Sequence, residues 1–196
     1  YISEKNNAAP ASPHQPYSVV YAGGFARGRS KFLYHLDPTI HHYTLSLYGN
    51  GLDTDEASHW KRVDYRGYLP SEEFIAQAEA DFGLVWDGAS LDACDGAWGE
   101  YLKINNPHKT SFYLRAGIPV IVWREAAMAP FVEAHAVGLV VASLSELDSR
   151  LESLAEEDYA VLRKNAKQMA RRLAEGYFVK QALEKADDYF EMKKYE

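Results

Sequence analysis

Four short segments of this chain gather the side chains that can do chemistry, and each follows a strand-like run. The first, GGFARGRSK at 23–31, sets Arg27, Arg29 and Lys31 beside Gly23 and Gly24. Glycine allows close backbone approach and cations attract an anion. In a chain of net charge −7 this collection predicts a specific anion site, with a solvated basic turn as the alternative. The spacing is neither the Gly-x-Gly-x-x-Gly of a dinucleotide fingerprint nor a P-loop ending in Gly-Lys-Ser/Thr.

The second segment, YLKINNPHKTSFYLRAGIPVIVW at 101–123, is the most informative. Asn106 is a capping residue type, Pro107 suits a first helical position, and Lys109 and Thr110 then fall in the first turn. A cation there opposes the partial positive charge of the helix end. The conflict disappears if an anion such as a phosphate is held by the first-turn amides, Lys109 and the Thr110 hydroxyl together. An ordinary capped helix with a lysine on its wet side is the alternative.

The third segment, LYGNG at 47–51, offers Tyr48 either to stack on a ligand or to pack as a rim tyrosine. The fourth, VWDGASLDACDGAWGE at 85–100, carries Asp87, Asp92, Asp95 and Glu100. Paired carboxylates bind sugar hydroxyls or do acid–base work. In a glycine-rich loop they also serve as turn formers and solvated charges. Cys94 has acidic neighbours, which raise a thiol pKa and make it a poor nucleophile. His35, Asp37, His41 and His42 match no zinc spacing, so no metal site is predicted. No Gly-x-Ser-x-Gly elbow is present.

The elements that position these segments alternate. Strands are predicted at 18–24, 43–51, 63–70, 81–88, 118–123 and 138–143. Helices are predicted at 30–36, 71–80, 107–116, 126–135 and 145–154. Two more close the chain: Tyr159, Leu162, Ala166, Met169 and Leu173 step by three and four, and Phe178, Ala182, Ala186 and Phe190 step by four. Runs such as VIVW and GLVW are apolar throughout, as in a parallel sheet covered on both faces. The fold class expected is therefore α/β, a doubly wound, mostly parallel six-stranded sheet with helices on both faces and two closing helices. Ligands then bind in the loops beyond the strands' carboxyl ends.

Composition narrows the class further. The 196 residues are 47% hydrophobic and 25% charged, a globular balance. An acidic net charge argues against a nucleic-acid partner held by counterion release. One cysteine excludes an internal disulfide. No apolar run reaches the roughly 20 residues of a bilayer span, and a soluble, cytoplasmic domain is expected. Residues 1–16, polar with Pro10, Pro13 and Pro16, read as a linker from a missing amino-terminal lobe, and 17–196 as the domain. Tyr177, Phe178, Tyr189 and Phe190 are either an interface, including one between copies in a homo-oligomer, or the last helix's core stripe.

The motifs GLVWDG (83–88) and GEYLKINNPHKTSFYLRAGIPVIVW (99–123), with AGGFARGRSKFL (22–33), resemble the carboxy-terminal lobe of GT-B glycosyltransferases. More narrowly they resemble bacterial β-1,6-galactofuranosyltransferases and related glucosyltransferases that extend sugar on serine-rich-repeat adhesins. Asparagine is the residue expected at position 24, where this chain has Gly24. The resemblance implies a Rossmann-like lobe that binds a UDP-sugar as donor substrate, with no cofactor and no metal. It implies transfer of galactofuranose or glucose to a glycan or glycoprotein acceptor held mainly by the amino-terminal lobe. Carried over by residue, Arg29 and Lys109 contact the diphosphate as the catalytic cations, and Thr110 and Asn106 complete the cradle beside Gly23 and Gly24. Tyr48 lies beside the nucleotide, and Asp87 or Glu100 faces the sugar. A non-catalytic nucleotide-binding or protein-assembly module of the same fold is the alternative. A nicotinamide-dependent epimerase is disfavoured by the absent fingerprint and by the lack of a Tyr-x-x-x-Lys helix.

Overall fold

β-Branched and aromatic runs that are apolar on both sides can fold only where a sheet is covered twice, and the strands obey that rule. A computed structural model describes residues 16–193, with side chains through Phe190. The linker expected over 1–16 lies, apart from Pro16, outside the described residues. In chain order the elements are β1 (Tyr17–Gly24), α1 (Arg27–Ser30), α2 (Leu33–Leu36), β2 (Tyr43–Asn50), α3 (Thr54–Ala57) and β3 (Val63–Tyr65). The second half runs α4 (Ser71–Gln77), β4 (Phe82–Val85), α5 (Gly96–Leu102), α6 (His108–Arg115), β5 (Val120–Trp123), α7 (Ala129–His135) and β6 (Gly138–Val141). It closes with α8 (Leu147–Glu152), α9 (Glu156–Ala174) and α10 (Tyr177–Lys193).

The six strands form one sheet in the order β3-β2-β1-β4-β5-β6, and every pairing is parallel. β4 and β5 are buried at every position, whereas β2 alternates buried and half-buried residues up to exposed Asn50. Right-handed crossovers send the β1–β2 and β2–β3 connections to one face and those leading to β4, β5 and β6 to the other. The direction of winding therefore reverses between β1 and β4, which opens a crevice at their carboxyl ends. On the far pole, buried Asp81 accepts from the Ser18 amide (2.7 Å), the Ser18 hydroxyl (2.8 Å) and the Tyr159 hydroxyl (2.6 Å), tying α9 to the start of the sheet. Tyr159→Phe removes one bond to a charged acceptor. It is expected to cost about 1.5 kcal/mol and lower the melting temperature by roughly 3–6 °C; a thermal melt checks this.

Several boundaries differ from the sequence reading for visible reasons. The predicted third strand, 63–70, stops at Tyr65, and Gly67 turns the chain with φ +73° toward α4. The predicted helix 30–36 is broken into α1 and α2, because the Phe32 amide leaves the helical pattern to bond Gly88 O at 3.2 Å. In return the Gly88 amide donates to Arg29 O at 2.6 Å, clasping the first and fourth loops together. α5 was not expected in a glycine-rich segment. Gly99 is required there, since a Cβ would lie 2.1 Å from Cys94 O.

α9 buries the expected stripe of Tyr159, Leu162, Ala166 and Met169. α10 does not: Phe178 and Phe190 are exposed, as are Tyr177, Val179, Leu183 and Tyr189. Among the described residues no helix is long and apolar enough to cross a membrane.

Candidate functional site

The crevice between β1 and β4 is built around one buried carboxylate. Asp87 follows β4 and is 2% exposed. Arg29, from α1, grips it through Nε to Oδ1 (2.9 Å) and Nη2 to Oδ2 (3.0 Å). Lys109, in the first turn of α6, donates from Nζ to the same Oδ1 at 2.9 Å and to the Tyr21 hydroxyl at 2.8 Å. Its ammonium also sits 4.1 Å from the centroid of the Tyr21 ring. Two cations and one carboxylate leave the cluster at net +1 (2 − 1).

Each element has a local reason to deliver its group. Gly23 is the penultimate residue of β1; its φ of +152° is open to glycine, and a Cβ there would lie 3.2 Å from Lys109 Cε. Pro107 caps α6 with φ −67°, and Lys109, the second residue of the helix, is buried against Gly23 at the strand end. Lys109 is thus buried rather than on the wet side of its helix. The Tyr113 hydroxyl, one turn on, accepts from the Ala22 amide at 2.7 Å and locks α6 to β1.

The electrostatics follow from burial and pairing. Burial pushes the Lys109 ammonium down to about 8; Asp87 opposes that fall and the like charge of Arg29 adds to it. Burial acts to raise the Asp87 carboxyl, but Lys109 and Arg29 outweigh it and hold the group below its ordinary value. Burial and then the Asp87 charge push the Tyr21 phenol well up, so it stays neutral. The Thr110 hydroxyl is buried in the same helical turn and has no hydrogen-bond partner among the described residues. A buried hydroxyl with no partner calls for an explanation. An incoming anion at the helix start supplies one, because the orphan amides and the +1 cluster favour it as well.

The structure places the other anticipated residues less centrally. Gly24 ends β1 and a Cβ there meets nothing within 4 Å. Asn106 is exposed and precedes the cap, which is Pro107, so α6 begins at His108, one residue later than expected. Tyr48 is half-buried on β2, edge-on to Phe74 with ring centroids 5.3 Å apart. Glu100 is exposed and paired with Lys103 at 2.9 Å. Asp87 is committed to its cations rather than standing as a free carboxylate. It also supplies the negative charge that the sequence had assigned only to a phosphate.

Asp95 Oδ1 accepts from the Ser90 amide and the Asp92 carboxylate from the Ser145 hydroxyl, so both are loop ties. Cys94 is buried and its thiol is pushed up to about 12, chiefly by burial. His42 pairs with Asp148 at 2.6 Å, while Asp37 accepts backbone amides of 61–63. Among the described residues no group of three or more His, Cys, Asp or Glu side chains is arranged to hold a metal.

Two participants escaped the sequence reading. Tyr21 looked like strand core, and nothing in its neighbours signals the hydroxyl. Trp98, on α5, lies under the Arg29 guanidinium, 4.5 Å from the ring centroid. Its place in a loop of acids and glycines was the available signal.

Comparison with known proteins adds to this geometry. Residues 19–186 match the family model described as glucosyltransferase 3-like, C-terminal domain. The chain is 34% identical over 171 residues to the β-1,6-galactofuranosyltransferase WbbI of Escherichia coli (strain K12), covering 87% of this chain and 49% of that protein. It is 33% identical over 130 residues to glucosyltransferase 3 of Streptococcus gordonii, covering 66% and 38%. It thus spans half or less of these curated relatives. Among solved structures, Anabaena HepE in complex with UDP and glucose aligns with TM-score 0.57 at 14% identity, over 88% of this chain and 48% of that one. Sucrose-phosphate synthase of Thermosynechococcus elongatus aligns at TM-score 0.53 and 18% identity, over 92% and 46%. These likenesses establish the fold, a Rossmann-like α/β domain.

Proposed function

The chain belongs to the glucosyltransferase 3-like, C-terminal domain family, and from that premise we propose that it is the donor-binding lobe of a glycosyltransferase using a UDP-sugar. The observation that carries the proposal is the convergence of Arg29 and Lys109, from loops on either side of the strand-order reversal, on one buried carboxylate beside Gly23 and the start of α6. Those cations, the α6 amides and the unpartnered Thr110 hydroxyl receive the diphosphate. Breaking the anomeric bond leaves growing negative charge on the diphosphate. Fixed cations that stabilise it more in the transition state than before lower the barrier. These groups supply the charge themselves, so the proposal needs no metal and no cofactor.

The finer assignments rest on the family resemblance. The sugar is galactofuranose or glucose, and the acceptor is a glycan or glycoprotein held by an amino-terminal lobe. The exposed apolar side chains of α10 are covered by that lobe, and transfer requires both lobes. The protein is cytoplasmic. The exposed α10 side chains also favour a second reading, a nucleotide-binding or assembly module with no transfer activity.

A calorimetric titration of the chain with UDP, UDP-glucose, UDP-galactofuranose, GDP-mannose and NAD tests the donor class. The UDP series is expected to bind and NAD not to. Preference for NAD, or no binding by any of the five, overturns the proposal. UDP binding without transfer by a two-lobe protein selects the module reading.

A further inference from the structure

We propose that Asp87 is a positioning residue of this site: its carboxylate holds Arg29 and Lys109 convergent before the diphosphate arrives and shares them with it afterwards. The inference rests on the donor-site reading and goes beyond it, because Asp87 acts through the cations and not on the sugar.

The geometry is that of a three-way anchor. Arg29 uses two nitrogens on two oxygens, the arrangement that fixes a guanidinium plane. Lys109 takes the oxygen Oδ1 that Arg29 Nε already uses, and the Tyr21 hydroxyl donates to it as well at 3.3 Å. Arg29 is 34% exposed along its side chain; Trp98 lies against its guanidinium, but the two hydrogen bonds to Asp87 are what fix the direction of its nitrogens. Fixing it in advance removes an ordering penalty from the binding step.

A carboxylate near a diphosphate also repels it, so two effects compete. The repulsion is offset by both cations, which leave the cluster positive. Losing the carboxylate leaves Lys109 buried near the like charge of Arg29, and burial with like charge favours the neutral amine. A neutral amine contributes no Coulomb attraction at all, so retention of the anion wins. The groups facing Lys109 are Asp87 and Cys94 from the loop after β4, Tyr21 from β1 and Arg29 from α1; Tyr113, from α6, faces Tyr21.

The experiment is calorimetric titration of UDP into the chain and two variants between pH 6.5 and 9.5. Ionisation of the nucleotide is common to all three proteins and cancels in the comparison. In the unsubstituted chain affinity falls as pH rises through about 8, the value at which Lys109 loses its proton. In Asp87→Asn that fall is expected about one pH unit or more lower, with affinity recovering on acidification. In Arg29→Met, which leaves Lys109 sole use of Asp87, affinity is weaker throughout but its fall is displaced upward.

A purely structural Asp87 predicts the same loss at every pH, and that result overturns the proposal. If Asp87→Asn fails to fold, Arg29→Met decides alone: a fall that stays in place or moves down overturns it. Absence of UDP binding by the unsubstituted chain overturns the donor-site reading, and this proposal with it. UDP binding with no separation of the pH profiles overturns only the role of Asp87.

Discussion

Lys109→Ala in an enzyme that carries this lobe together with its acceptor lobe is expected to reduce turnover by about 100- to 1000-fold, or about 3–4 kcal/mol in the barrier. The size follows from where the ammonium sits. It is buried, 2.9 Å from Asp87 and 2.8 Å from the Tyr21 hydroxyl, in the first turn of α6. A fixed charge in such a site stabilises a leaving diphosphate without reorganising at the moment of bond breaking. Removing it leaves Asp87 paired with Arg29, so no unpaired charge is created and the fold is expected to melt near its usual temperature. The loss should appear mainly in kcat, as for an interaction that strengthens in the transition state. Steady-state transfer assays with a parallel thermal melt check both parts. Activity within a few-fold of the unsubstituted enzyme rejects Lys109 as a diphosphate ligand.

The sheet was readable from the residues because its signal is local. Apolar runs such as VIVW, glycine stops and capped helix starts each lie within ten residues, and parallel alternation follows from them. Strand ends were overestimated where the composition stays β-like after pairing has stopped, as in RGYLP at 66–70. The two cations were legible as an excess of positive charge beside glycine in an acidic chain.

Their shared counter-ion was not legible. Asp87 lies 58 positions from Arg29 and 22 from Lys109, and only the winding reversal between β1 and β4 joins the three. Four carboxylates occur within 85–100, and residue type does not separate the buried hub from the loop ties at Asp92 and Asp95. The stripe of α10 illustrates the same gap from the other side. Spacing shows that a helix has an apolar face, but what covers that face depends on chain beyond the pattern.

Gly49→Ala is expected to lower stability toward the upper end of roughly 1–3 kcal/mol and to reduce the melting temperature by roughly 6–12 °C at that limit. Gly49 lies on β2 in register with Gly23, with φ +154°. A Cβ there would stand 1.7 Å from Gly23 O, which is backbone and cannot swing aside as a side chain does. Strands β1 and β2 must part at their carboxyl ends, and the strained φ adds to the penalty. The displacement falls on Gly23, which lines Lys109, so the damage reaches the proposed donor seat as well as the sheet. A misplacement on the order of 1 Å at a reacting centre costs about 100-fold, and turnover is expected to fall by that order even in molecules that remain folded. Gly24 is one residue further on and supplies the contrast: with no atom within 4 Å of its Cβ position, Gly24→Asn should leave the melt unchanged. A Gly49→Ala protein that melts and turns over like the unsubstituted one would show that the two strands are not locked at the site. Equal damage from Gly24→Asn would show that the seat includes the space above position 24.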